Sequence, residues 1–201
     1  MDEIEIVSYD PRWPALFVAE AARIHAAVGG QLVALEHFGS TAVPGLSAKP
    51  VIDILVAVRS LVQARQEAVP ALEALGYSYW RDNPDPHHMF FVKGLPPHGP
   101  RTHHVHLVEV GSPDARLTGE DTFRDRLLFR DYLRAHPEEA RRYEALKRDL
   151  AARFTTDREA YTDSKTDYVR SVMVRARRET KTRKTSTQKP DKFTWFPRED
   201  V

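Results

Sequence analysis

Cysteine is absent from the 201 residues, which excludes disulfides and thiolate metal sites outright. Long apolar runs are missing too. None approaches the roughly 20 residues that span a bilayer, so no membrane partner is expected. The opening Met-Asp-Glu-Ile-Glu is acidic where a secretory signal starts basic and turns apolar, so the sequence reads as cytoplasmic. No Walker-type Gly-x-x-x-x-Gly-Lys-Ser/Thr loop occurs, which excludes a P-loop kinase. The net charge is only +1, yet residues 175–201 hold nine Lys/Arg against four Asp/Glu, leaving the remainder mildly acidic.

What is present alternates between helical and extended periods. Residues 10–28 read as a helix capped by Asp10 with Pro11 in its first position. Trp13, Phe17, Ile24 and Val28 form its apolar stripe, and Gly29-Gly30 ends it. A strand follows at about 33–38, then the turn Gly39-Ser-Thr-Ala-Val-Pro-Gly45. The run Val51–Val58 is almost wholly apolar, as a strand covered on both faces requires. An amphipathic stretch over 60–75 contains Pro70, expected to divide or kink it. Strands are predicted at 77–80, 88–93 and 103–110, with a proline- and glycine-rich turn over 94–100. From about 121 the period is helical. One helix carries Phe123, Leu127 and the Phe129–Leu133 group. A second restarts at His136-Pro137, and a third is capped by Asp157 and carries Tyr161, Tyr168 and Val172. The order predicts an α+β fold, a mixed sheet (about 1–120) with flanking helices and a C-terminal helical layer (about 121–176), followed by a flexible basic tail over 177–201.

Asp53 is the most informative residue. A carboxylate in an apolar strand must be paired, protonated or bound to a cation, because burying it alone costs several kcal/mol. Strand alternation places Val51, Asp53 and Leu55 on one face and Ile52 and Ile54 on the other. Just before it, Gly39, Ser40 and Thr41 offer backbone N–H groups and hydroxyls that can cradle a phosphate, with Lys49 nearby. Phosphate donors, a lysine and a carboxylate for a cation are the parts of a nucleotide site. His104 and His106 point the same way on their strand, as a metal pair or as bases toward an acceptor. Lys147 and Lys165 border the inward stripes of their helices, either reaching toward phosphates or snorkelling at the core edge. Glu36 is a further possible acid, and Arg130 and Arg134 either bind phosphate or pair with neighbours. His87-His88 reads as loop composition, without a role. The basic tail lacks a structured reader, so nucleic acid is not an expected partner.

The run from His37 through Asp53 to Leu55, with the histidine strand at 103–107, Leu128–Pro137, Tyr143 with Lys147 and Tyr161 with Lys165, resembles the GrpB family over about residues 5–176. That family is placed in the nucleotidyltransferase superfamily. The resemblance implies a nucleotidyltransferase-like sheet in which Gly39 and Ser40 lead to Asp53, and Asp53 holds Mg²⁺ (or Mn²⁺) on a nucleoside triphosphate. The superfamily pattern has a second carboxylate two residues on, where this sequence has Leu55. The leading expectation is transfer of a nucleoside monophosphate from a triphosphate to a small-molecule acceptor. A second is a degenerate binding or accessory domain, since GrpB-like segments also resemble those fused to dephospho-CoA kinases. A third is metal-dependent hydrolysis by the histidine cluster.

Overall fold

The computed structural model describes residues 3–95, 99–110 and 122–186, without the side chains of 122 and 184–186. Five strands form one mixed sheet: β1 (Leu32–Phe38), β2 (Ile52–Val58), β3 (Tyr77–Tyr79), β4 (His88–Lys93) and β5 (His103–Glu109). Their spatial order is β1-β2-β5-β4-β3. Only the central β2–β5 pair is parallel. The expected strands are thus found to within about a residue at each end.

Period-two alternation on β2 builds a core on each side of the sheet. Ile52, Ile54, Val56 and Val58 pack with Trp13, Ile24 and Val28 of α1 (Trp13–Val28) and with Leu61, Ala64, Ala68 and Leu72 of α2 (Leu61–Ala74). Leu55 and Ala57 pack with Phe123 and Leu127 of α3 (Thr122–Ala135) on the other face. Each fully buried branched side chain contributes about 1.5–3 kcal/mol. The helical layer continues with α4 (Pro137–Arg153), α5 (Arg158–Asp163) and α6 (Thr166–Ser186).

Several boundaries differ from the sequence reading. The first helix starts at Trp13, because the Asp10 carboxylate accepts from the Arg12 N–H at 2.9 Å and clamps its guanidinium, holding the chain in a turn before the helix. Pro70 does not divide α2, which runs through it as one element. Packing of Val69 and Leu72 on the core outweighs the one lost hydrogen bond. The predicted third helix is two. α5 is capped by Asp157, which accepts from Ala160 N at 2.9 Å, and it stops at Asp163 before α6 begins. α6 continues past Arg178 to Ser186, so the basic extension is helical where the sequence reading ends order at 176. Its polar residues keep the helical backbone, with Thr180 and Thr182 hydroxyls bonding the carbonyls four residues back. Residues 187–201 lie outside the described residues, as do 96–98 of the predicted turn.

The amino-terminal segment bridges the two halves. Val7 and Ala48 exchange backbone hydrogen bonds at 2.9 and 3.0 Å, and Ile4 N donates to Thr155 O at 2.8 Å. Ile4 is buried with Leu150 and Tyr161.

Candidate active-site cleft

Asp53 lies on the sheet face that carries α3, and the register sets its neighbours. Across the sheet, Phe38, Asp53, His104, Val92 and Ser78 form one row. Glu36, Leu55, His106 and Phe90 form the next. Between this face and α4–α5 lies a cleft of about 1000 Å³, lined among others by Gly39, Ser40, Lys49, Asp53, His104 and Lys165.

The Asp53 carboxylate is aimed at the turn. A Cβ on Gly39 would overlap Asp53 Oδ2 and stand 3.0 Å from the Asp53 Cβ. Gly39 also holds φ at 69°, in the left-handed region. Both facts require glycine there. Oδ1 serves the imidazoles, with His104 Nδ1 at 3.1 Å and His106 Nε2 at 3.9 Å. Burial drives the carboxyl toward protonation, but the neighbouring imidazoles of His104 and His106 outweigh it and hold Asp53 well below the usual carboxylate range. The side chain keeps 26% of its surface, so an ion in the cleft can reach it.

His106 is fixed in one tautomer. Its Nδ1 faces Arg126 Nη1 at 3.0 Å and His88 Nε2 at 2.8 Å. Arginine only donates, so Nδ1 accepts and Nε2 carries the proton toward Asp53. Burial keeps the ring neutral, its pKa well below the ordinary value. His88, pushed down to about 4 by burial, stacks on His106 with ring centres 4.9 Å apart. His104 donates Nδ1–H to Asp53, and its buried Nε2 has no partner. The two imidazoles that sequence reasoning offered as metal ligands or bases thus both face one carboxylate oxygen, His104 within hydrogen-bond distance and His106 farther off.

The opposite wall is cationic. Lys147 is buried, donates to Ser47 O, and lies 5.1 Å from the Tyr143 ring centre. Lys165 and Lys49 lie 4.1 and 5.0 Å from the Tyr161 ring centre. Burial, with Arg148 and Lys49 adding repulsion against the attraction of Glu144 and Asp53, lowers Lys147 to about 7. Burial, then Lys49, lower Lys165 to about 7 as well. Tyr143 of α4 and Ser40 of the turn line the cleft together.

The remaining candidates divide. Thr41 lines the cleft but is 1% exposed, and its hydroxyl meets His37 Nε2 at 3.0 Å. Glu36 is an ion-pair partner of Arg130 at 2.8 Å. Arg130 also donates to His37 O at 2.7 Å, and Arg134 to Ala42 O at 2.9 Å, so both pin α3 onto the turn. Sequence reasoning missed Arg126 and His88. The β4–β5 register that brings His88 to His106 had no sequence signal.

Asp53, His104 and His106 are the one metal-capable group among the described residues, with ligand atoms within 4.8 Å of one another. The implied Mg²⁺ prefers oxygen and is commonly held by one or two carboxylates plus substrate phosphates. Asp53 Oδ2, facing the turn, fits that mode. His106, its Nδ1 occupied by Arg126, does not present Nε2 as a ligand. Glu159 and Asp163 line the same cleft from α5. Three histidines converging on an open position, the arrangement that would favour hydrolysis, are not found among the described residues.

No helix among the described residues is long and apolar enough to cross a membrane. The family pattern described as GrpB protein matches residues 3–175. The UPF0157 protein PA4798 of Pseudomonas aeruginosa is 48% identical over 176 residues, covering 87% of this chain and 68% of that protein. A crystal structure of the conserved protein GrpB from Enterococcus faecalis matches with a TM-score of 0.73 at 29% identity, covering 88% of this chain and 99% of that one. A dephospho-CoA kinase of Mycolicibacterium paratuberculosis is 32% identical over 210 residues, covering 86% of this chain but 46% of the kinase.

Proposed function

This chain belongs to the GrpB family, and on the geometry of its cleft we propose that it is a nucleotidyltransferase-like enzyme acting on a nucleoside triphosphate and a small-molecule acceptor. The observation that carries the reading is an ionised, reachable Asp53 turned toward the Gly39–Ser40 bend, opposite three lysines. The bend receives phosphate oxygens on backbone N–H groups and Ser40. Lys49, Lys147 and Lys165 neutralise the polyphosphate. The acceptor atom attacks the α-phosphorus, the bond to the β-phosphate breaks, and pyrophosphate leaves as the acceptor releases its proton. Alignment and charge neutralisation supply most of the acceleration in such transfers. Asp53 would hold Mg²⁺ or Mn²⁺, which when bound adds positive charge beside the phosphates. His104 and His106 keep Asp53 ionised and aimed.

A second reading has the cleft bind nucleotide without turnover. Its support is Leu55, fully buried where a symmetric two-ion clamp would need a second carboxylate. One experiment separates the two. Thermal-shift screening of nucleoside triphosphates with Mg²⁺ or Mn²⁺ should show cation-dependent stabilisation that Asp53→Ala abolishes. Pyrophosphate release with an acceptor library then marks the enzyme, and binding without release marks the binder. Absence of any stabilisation would defeat both.

A further inference from the structure

The two side-chain rows that cross the sheet do not stop at the histidines. Beyond His104 and His106 they continue to Val92 and Phe90 on β4 and to Ser78 on β3. Trp80, just past β3, is tied to Phe90 by a backbone hydrogen bond of 2.9 Å and extends the second row. From β2 to the β3 edge is three strand spacings, about 14 Å. That is the scale of an extended nucleoside triphosphate measured from its phosphates to its base. The charged groups at the Asp53 end give way to rings at this end. Phe90 lies 5.1 Å from His104 and 4.7 Å from His106. Trp80 stands edge-on to Phe90, with centres 6.1 Å apart and planes at 74°. Trp80 leaves 43% of its surface exposed, yet lines the cleft. A tryptophan and a phenylalanine meeting at a corner offer one flat face and one edge to a planar ring. An aliphatic group would use neither. Ser78, exposed on the adjoining row, places a hydroxyl where the ring's polar edge would lie.

We propose that the Trp80–Phe90 corner is a nucleobase subsite, stacking the base of a nucleotide whose phosphates lie between the Gly39–Ser40 bend and the three lysines. This rests on the polyphosphate reading above. Stacking of this kind is tolerant of base identity, because every base has a π-face. The site accordingly takes purine and pyrimidine triphosphates alike, with larger rings favoured by contact area.

Calorimetric titration of the full chain with inorganic tripolyphosphate and with the four ribonucleoside triphosphates, in the presence of Mg²⁺, tests it. The triphosphates should bind about five- to a hundred-fold more tightly than tripolyphosphate, the range expected for one stacked base. Trp80→Leu should erase that advantage while leaving tripolyphosphate affinity unchanged, and Trp80→Phe should retain most of it. The exposure of Trp80 makes both variants foldable, which a matching unfolding temperature verifies. If tripolyphosphate binds but nucleotides bind no tighter, or if Trp80→Leu leaves the ratio intact, the base subsite is wrong and the phosphate site stands. If neither ligand binds, the polyphosphate reading itself fails and takes this inference with it.

Discussion

Glu20 and Asp53 are both acidic side chains set into apolar surroundings, on opposite faces of one sheet, and the fold treats them differently. Glu20, with 4% of its side chain exposed, receives Lys93 Nζ at 2.7 Å and the Tyr77 hydroxyl at 3.0 Å, with Arg23 at 3.4 Å. Its charge is answered permanently by these built-in partners. Asp53 keeps a quarter of its side chain exposed, and its Oδ1 faces two imidazoles, His104 at 3.1 Å and His106 at 3.9 Å. The first arrangement leaves no charge for a ligand to meet. The second leaves a full negative charge facing open space, with lysines across the gap. A buried carboxylate is a structural element when the cation is built in, and a site when the cation is left to arrive.

Exchanging the two residues' fates is the strongest test. Glu20→Ala strands Lys93 and should cost about 3–5 kcal/mol, seen as a fall of roughly 10 °C in Tm, while nucleotide-dependent stabilisation persists. Asp53→Asn should leave Tm nearly unchanged and abolish that stabilisation. Equal losses of stability in the two variants would break the comparison. Gly39→Ala comes next. The left-handed backbone alone costs about 1–3 kcal/mol, and the new methyl displaces Asp53 Oδ2, so calorimetry should find triphosphate binding lost along with a modest fall in Tm.

The lysines give a pH signature that the Glu20 side lacks. Lys147 and Lys165 are lowered from 10.5 to about 7 in the folded protein. The unfolded chain therefore binds more protons between those limits, and the ligand-free protein gains stability as pH rises through that window. Below it the penalty is fully present. A bound polyphosphate favours the charged amines, so its affinity should fall by about tenfold per pH unit above 7 for each lysine that must take up a proton. Titrations in buffers of different ionisation enthalpy measure that uptake directly. The smallest effect concerns Arg126. Nitrogen NMR should find His106 as the Nε2–H tautomer in the parent protein and a mixture in Arg126→Met, with little change in Tm.

The central part of this site was legible in the chain. A single carboxylate in an apolar run identifies itself by solvation cost, and alternation alone puts Asp53 and Leu55 on one face and His104 beside His106. Lys147 and Lys165 stood out because they border apolar stripes. What stayed hidden depends on register and distance. Nothing local says that β4 pairs with β5 so as to set His88 on His106, that Arg126 reaches Nδ1, or that Glu20 meets Lys93 across 73 positions. The contact of the Thr41 hydroxyl with His37, four residues earlier, was hidden as well, because a hydroxyl in a turn gives no sign of its partner. The helix beyond Arg178 was misread because composition reports solubility more directly than backbone state.

The stitch of residues 4–7 carries a mechanical consequence. One end is fastened to Ala48, next to Lys49 and the carbonyl that Lys147 grips, and the other to Thr155, shortly before the helix bearing Tyr161. Floor and wall of the cleft are thus sewn together by backbone that touches no ligand. Strain applied to those few residues, whether by a rigid fusion or by loss of the Val7–Ala48 bonds, would be felt as a change in the gap between carboxylate and amines.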